Sequence, residues 1–256
     1  MAKKPKPPVR RSPNSSVWLQ IAIVGLWTAL AQWFLWDKLY FTGDEPHYMM
    51  SVVSFVLDGD FNNYNNYQRG HSALFGVSDL QPQWAAYGFP RPGLIPAEHG
   101  TAFPLLISPI FRLWGIDGLR VAFIVCSAVA CLLSGWTAKT LSGSVAVGWG
   151  ALGLLLIAPV WQMQASRIYP ETLAALLVAL ITAILTLHVK DLKRRRRGWL
   201  LFTCGFCIIL LPILYAKYVV IGAGFGIACL LLPSIRSRPA FWAGLGLALL
   251  LGLFNA

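Results

Sequence analysis

Seven long apolar stretches, at 17–36, 118–137, 145–163, 171–188, 199–215, 218–232 and 241–254, restrict this chain more than any motif in it. A bilayer core offers no water to backbone amides. A stretch of about 20 apolar residues therefore closes its hydrogen bonds on itself, as a helix. Hydrophobic residues make up 57% of the chain and charged residues 12%, about half the share usual in a soluble domain. The reading is an all-α integral membrane protein with about seven transmembrane helices.

The net charge of +11 would point to nucleic acid in a soluble chain. Its distribution here points to membrane topology, and no nucleic-acid partner is expected. Lys3, Lys4, Lys6, Arg10 and Arg11 lie in a basic tail, residues 1–16, ahead of the first apolar stretch. That stretch is too long for a signal-peptide core and ends in Trp33, Phe34 and Trp36 rather than a small-residue cleavage site. It reads as a retained first helix with the tail in the cytoplasm. The five cysteines all fall in apolar stretches. Cys204 and Cys207 have CxxC spacing but no second pair of ligands, so buried, inert thiols are expected.

Segment 101–116 decides the topology. It is too short to span and carries Pro104, Pro109 and Arg112. If it lies in the interface, the cytoplasmic pieces are the tail, the turn at Lys139, the 190–197 loop and the loop with Arg236 and Arg238. These hold 14 of the 21 Lys and Arg and a single acid, Asp191. If it spans, Lys193-Arg194-Arg195-Arg196-Arg197 falls outside, against the positive-inside rule. The first arrangement is adopted. The arginine run then serves as a topology anchor, with anionic-lipid binding as the other reading.

Residues 37–100 form the first outer loop under this scheme, a length more typical of functional loops than of connectors. Asp44 and Glu45 sit near its start. Paired carboxylates at a membrane edge are costly to charge, which makes them candidates for function. Residues 46–57 read as a short interfacial helix. Pro46 at its first position makes Glu45 the N-cap and leaves Asp44 just outside, although Thr42 and Glu45 also match a capping box. His47, Ser51, Ser54 and Asp58 recur on one side of it, a polar face expected to line a wet cavity. The run Asn62-Asn63-Tyr64-Asn65-Asn66-Tyr67 reads as turn-forming asparagine, with tyrosine stacking on a sugar as the minor alternative.

Gly43-Asp44-Glu45-Pro46-His47-Tyr48 after the first helix is followed by Asp58-Gly59-Asp60, Gly100-Thr101-Ala102-Phe103-Pro104 and Tyr169-Pro170-Glu171. In this order the motifs resemble the type C membrane glycosyltransferases, a class that includes protein O-mannosyltransferases, the aminoarabinose transferase of lipid A and the rhizobial core transferases. The resemblance covers 17–254. It implies inverting transfer of a sugar from a polyprenyl-phosphate carrier to a hydroxyl of a glycan, lipid or protein, on the periplasmic side of a bacterial inner membrane. It makes Asp44 the base, with Glu45 and Glu171 as further acids of the site. Glu171 could equally cap its helix. Arg167, Lys217 and Arg91 are the candidates for the donor phosphate, as cations suited to developing charge. His47, Ser51 and His99 complete the polar face. Histidine beside carboxylate leaves a divalent metal open as cofactor.

Enzymes of that class usually continue with further helices. The chain ends at Phe254-Asn255-Ala256, which leaves three readings: a truncated product, one half of a split enzyme whose partner subunit supplies the remainder, or a non-catalytic membrane subunit that binds the lipid carrier or a partner.

Overall fold

The computed structural model describes residues 14–36, 41, 43–82, 93–97, 100–190 and 198–253. Among them there are helices and no strands. The basic tail to residue 13, Arg91, His99 and the run 191–197 lie outside the described residues.

Helix α1, Asn14–Trp36, buries Gln20, Val24, Thr28 and Gln32, one residue every four and therefore one face. Helix α2, Glu45–Asp58, ends on Gly59 in the left-handed conformation (φ 75°). A short helix α3, Tyr64–Gln68, and a 3-10 turn, His71–Phe75, follow. The long helix α4, Ala102–Ser142, is broken at Gly115, whose φ of 66° and ψ of −159° suit only glycine. The break separates the proline-containing arm before it from the longer apolar arm after it.

The expected continuous helix over 145–163 is two pieces, α5, Val145–Ile157, and α6, Pro159–Ala165, bent by 68°. Pro159 has no amide hydrogen to continue the ladder, so the carbonyls before it need other donors. The Leu156 carbonyl accepts from Trp27 Nε1 at 2.7 Å and Gln162 Nε2 at 3.0 Å. Gln32 Nε2 donates to the Gln162 carbonyl at 3.1 Å. The polar residues of α1 thus face the break, a pairing that apolar periodicity does not show.

Helix α7, Pro170–Lys190, packs on α4 and on α8, Gly198–Leu214. A 3-10 turn, Ala216–Tyr218, leads into α9, Val219–Leu231, then α10, Pro233–Arg236, and α11, Pro239–Leu253. By length and composition, α4 and α7 are fit to cross a membrane, and the bent α5–α6 pair would be a third span. Helices α8, α9 and α11 are shorter, at 17, 13 and 15 residues, so helix length alone does not yield seven spans among the described residues.

Helices α8 and α11 cross closely enough that their glycines meet backbone. A Cβ added at Gly244 would collide with the Phe202 carbonyl, and one at Gly205 with the Phe241 carbonyl. Gly244→Ala is expected to destabilise the protein. Forced overpacking costs about 1–3 kcal/mol, against about 1 kcal/mol of gained helix propensity. Gly246, with open space around it, is the control. Thermal melts in detergent should show a lower midpoint for Gly244→Ala and no loss for Gly246→Ala.

Candidate active site

Helix α2 was expected in the interface with a wet polar side. Instead all ten residues from Glu45 to Ser54 are buried. Met49, Met50, Val52 and Val53 join Phe103, Ile107 and Phe123 in the main core. The polar side is covered by the asparagine-rich segment that follows. Asn63 Nδ2 donates to Ser51 Oγ at 3.0 Å, and Ser51 Oγ to the His47 carbonyl at 3.3 Å. Ser54 Oγ donates to Asp60 Oδ1 at 3.2 Å, and Asn66 Nδ2 to Asp58 Oδ2 at 2.8 Å. His47 Nδ1 lies 2.7 Å from the Tyr67 hydroxyl. His47 and Ser51 are therefore buried and bonded to the segment that covers α2. The reason is that asparagine amides offer the donors that water would otherwise supply.

The register at the start of α2 also differs from expectation. Asp44, not Glu45, occupies the cap position, and it makes no side-chain cap bond. Its backbone carbonyl accepts from His47 N at 3.0 Å and Tyr48 N at 3.1 Å. Glu45 is 3% exposed, and its Oε1 accepts the Ile168 amide hydrogen at 2.7 Å, a link across 123 positions of sequence. A carboxylate so placed ties α2 to the connection between α6 and α7, in a charge-assisted bond of the stronger kind. Gly43 fits the same joint. At φ 57° it is left-handed, and a Cβ there would lie 2.8 Å from the Tyr169 hydroxyl.

This joint brings together residues that the sequence scatters. Glu45 meets the segment carrying Arg167, Ile168 and Tyr169. Two residues on, Glu171 opens α7 and forms an ion pair with Lys217 from the turn before α9. The Lys217 ammonium stands 4.6 Å from the Tyr215 ring centre and 5.4 Å from that of Tyr218. The pair keeps 49% and 38% of its two side chains exposed, so it is worth about 0–1 kcal/mol and can open to a competing anion.

Tyr48 sits at the centre. It is buried, edge-on to Phe103 at 5.1 Å and to Tyr169 at 6.0 Å. Burial, and then Tyr215, Glu171, Asp44 and Tyr218 around it, push its hydroxyl well above the usual tyrosine pKa. It therefore stays protonated and can donate a hydrogen bond near both Asp44 and Glu171.

The structure thus gathers Asp44, Glu45, the Arg167 segment, Glu171 and Lys217 around Tyr48. It sets His47 and Ser51 aside in the clamp on α2. Tyr48, Tyr215 and Tyr218 were missed as site residues because tyrosine in an apolar run reads as packing. Their signal is the phenol, which needs a partner when buried. No group of three or more His, Cys, Asp or Glu suited to a metal occurs among the described residues. No family model, no curated protein and no solved structure matches the chain.

Proposed function

We propose that this protein is an inverting membrane glycosyltransferase of the type C kind, which moves a sugar from a polyprenyl phosphate to a hydroxyl acceptor. The observation that carries the reading is the meeting of Asp44 with Glu171 and Lys217 around one protonated tyrosine. A carboxylate base and the partner of an openable cation then bear on the same buried phenol, an arrangement that suits this chemistry.

Asp44 takes the proton of the acceptor hydroxyl as its oxygen attacks the anomeric carbon. The bond from that carbon to the phosphate oxygen breaks, and the phosphate leaves with the electron pair. Lys217, released from Glu171, and Arg167 meet the charge that develops on it. Attack from the face opposite the phosphate inverts the centre. The released proton stays on Asp44 until it passes to water.

In the bilayer, the chain is proposed to cross seven times with the tail inside and the 37–100 loop outside. The shorter apolar helices then count as spans, with local thinning of the bilayer accommodating their length. Membranes containing the protein should transfer labelled sugar from a polyprenyl-phosphate donor to a hydroxyl acceptor, and membranes lacking it should not. Equal transfer by both would overturn the assignment. A cysteine placed at Tyr64, exposed beside the buried Asn63, should react with an impermeant thiol reagent from the outside, and one at Arg195 should not. The opposite pattern would reverse the topology.

A further inference from the structure

The ion pair of Glu171 with Lys217 leaves two polar atoms beside it unused. Lys217 binds one carboxylate oxygen, Oε1. The other, Oε2, is buried and has no hydrogen-bond partner among the described residues. The Tyr218 hydroxyl is in the same condition. The two side chains nevertheless adjoin, with Glu171 the carboxylate that faces the phenol. Tyr218 is 7% exposed, and its ring centre lies 5.4 Å from the Lys217 ammonium. One lysine, one phenol and one carboxylate thus meet at a single point.

A buried donor beside a buried acceptor, with no bond between them, is costly, and native structures rarely keep such a pair idle. The lysine accounts for it. The two oxygens of a glutamate turn together about one soft, roughly two-fold torsion. With Oε1 held by Lys217, Oε2 is not free to turn to the phenol. The ammonium, charged as well as donating, outcompetes a neutral hydroxyl for the carboxylate. Once the ammonium leaves, the same torsion brings Oε2 to Tyr218. The ammonium is not stranded by leaving. The rings of Tyr215 and Tyr218, 4.6 Å and 5.4 Å from it, attract a cation whether or not Glu171 does.

We propose that Tyr218 is a positioning residue that takes over Glu171 when Lys217 turns to an incoming anion, its hydroxyl donating to the carboxylate in place of the ammonium. The handover keeps Glu171 hydrogen-bonded and turned to the phenol while negative charge approaches, and so makes the cation easier to free. It rests on the transfer reading for the identity of the anion, a lipid phosphate. The exchange of partners at Glu171 stands without that reading.

The first test needs no ligand. Thermal melts of full-length protein in detergent compare wild type, Tyr218→Phe, Lys217→Met and the double variant, a cycle that isolates the coupling of the two residues. Tyr218→Phe keeps the ring and removes an unbonded hydroxyl, so its midpoint should equal or exceed that of wild type. In Lys217→Met the hydroxyl has Glu171 to itself. There the same substitution should lower the midpoint by about 2–4 °C, the scale of one hydrogen bond in a chain of this size. A merely structural tyrosine would lower it alike in both backgrounds. The second test counts bound polyprenyl phosphate by native mass spectrometry. Tyr218→Phe should bind it about tenfold more weakly than wild type, again the scale of one hydrogen bond.

An equal effect of Tyr218→Phe in the two backgrounds, whether a loss or none, would overturn the proposal. So would unchanged affinity for polyprenyl phosphate in Tyr218→Phe. Coupling in the melts with no polyprenyl phosphate bound by wild type would overturn the transfer reading and support the handover. Sugar transfer by wild type without the coupling would overturn the handover alone.

Discussion

Asp44→Asn is expected to lower sugar transfer by about 10²–10⁴-fold, the usual contribution of a positioned general base, with the first turn of α2 intact. The two halves of that expectation come from different atoms of one residue. What the fold uses is the Asp44 backbone carbonyl, which takes the His47 and Tyr48 amide hydrogens at the start of α2. Asparagine keeps that carbonyl. The side chain makes no cap bond to the helix, so its exchange for an amide costs α2 nothing there. What it loses is the ability to take a proton. Transfer from labelled polyprenyl donor and thermal melting, measured on the same preparation, separate the two. A variant with full transfer would remove Asp44 from the mechanism. A variant that no longer melts cooperatively would show that the carboxylate was structural.

Much of the fold was legible in the sequence, because apolar length and helix punctuation are local properties. The bounds of α1, α7, α8, α9 and α11 fall within a few residues of the apolar stretches, and Gly115 divides the proline-rich arm of α4 from its apolar arm. The break at Pro159 was not read from a run of apolar residues, although proline without its amide hydrogen was the available sign. What made the break tolerable, Trp27 and Gln32 on α1, lies about 130 residues away.

The site divides in the same way. Asp44 and Glu45 stood out because two carboxylates beside an apolar stretch are costly. Their separate jobs did not stand out. Side-chain periodicity gave α2 a polar side correctly, but it cannot tell water from asparagine. The amides of Asn63 and Asn66 took the place assigned to a wet cavity. The ion pair of Glu171 with Lys217 joins a helix start to a turn 46 residues on, and no local pattern encodes it.

Glu45 offers the second large effect. Its carboxylate is the acceptor for the buried Ile168 amide hydrogen. Glu45→Ala leaves the donor buried without an acceptor, at a cost of about 1–3 kcal/mol. Glu45→Gln keeps a carbonyl oxygen at the same reach but gives up the charge, which roughly halves the bond. The melting midpoint should therefore fall in the order wild type, Gln, Ala. Transfer should fall in the same order, and mainly in kcat. The link sets Asp44 and Tyr48 over the 167–171 segment and does not itself hold a substrate. Gly43→Ala strains the same joint from the other side, through its left-handed φ and the Tyr169 hydroxyl, and should reproduce the kcat loss with Glu45 intact. If Glu45→Ala melts and turns over like wild type, the joint is not what orders the site. If it loses transfer while Glu45→Gln and wild type remain equal, the hydrogen bond matters and the charge does not.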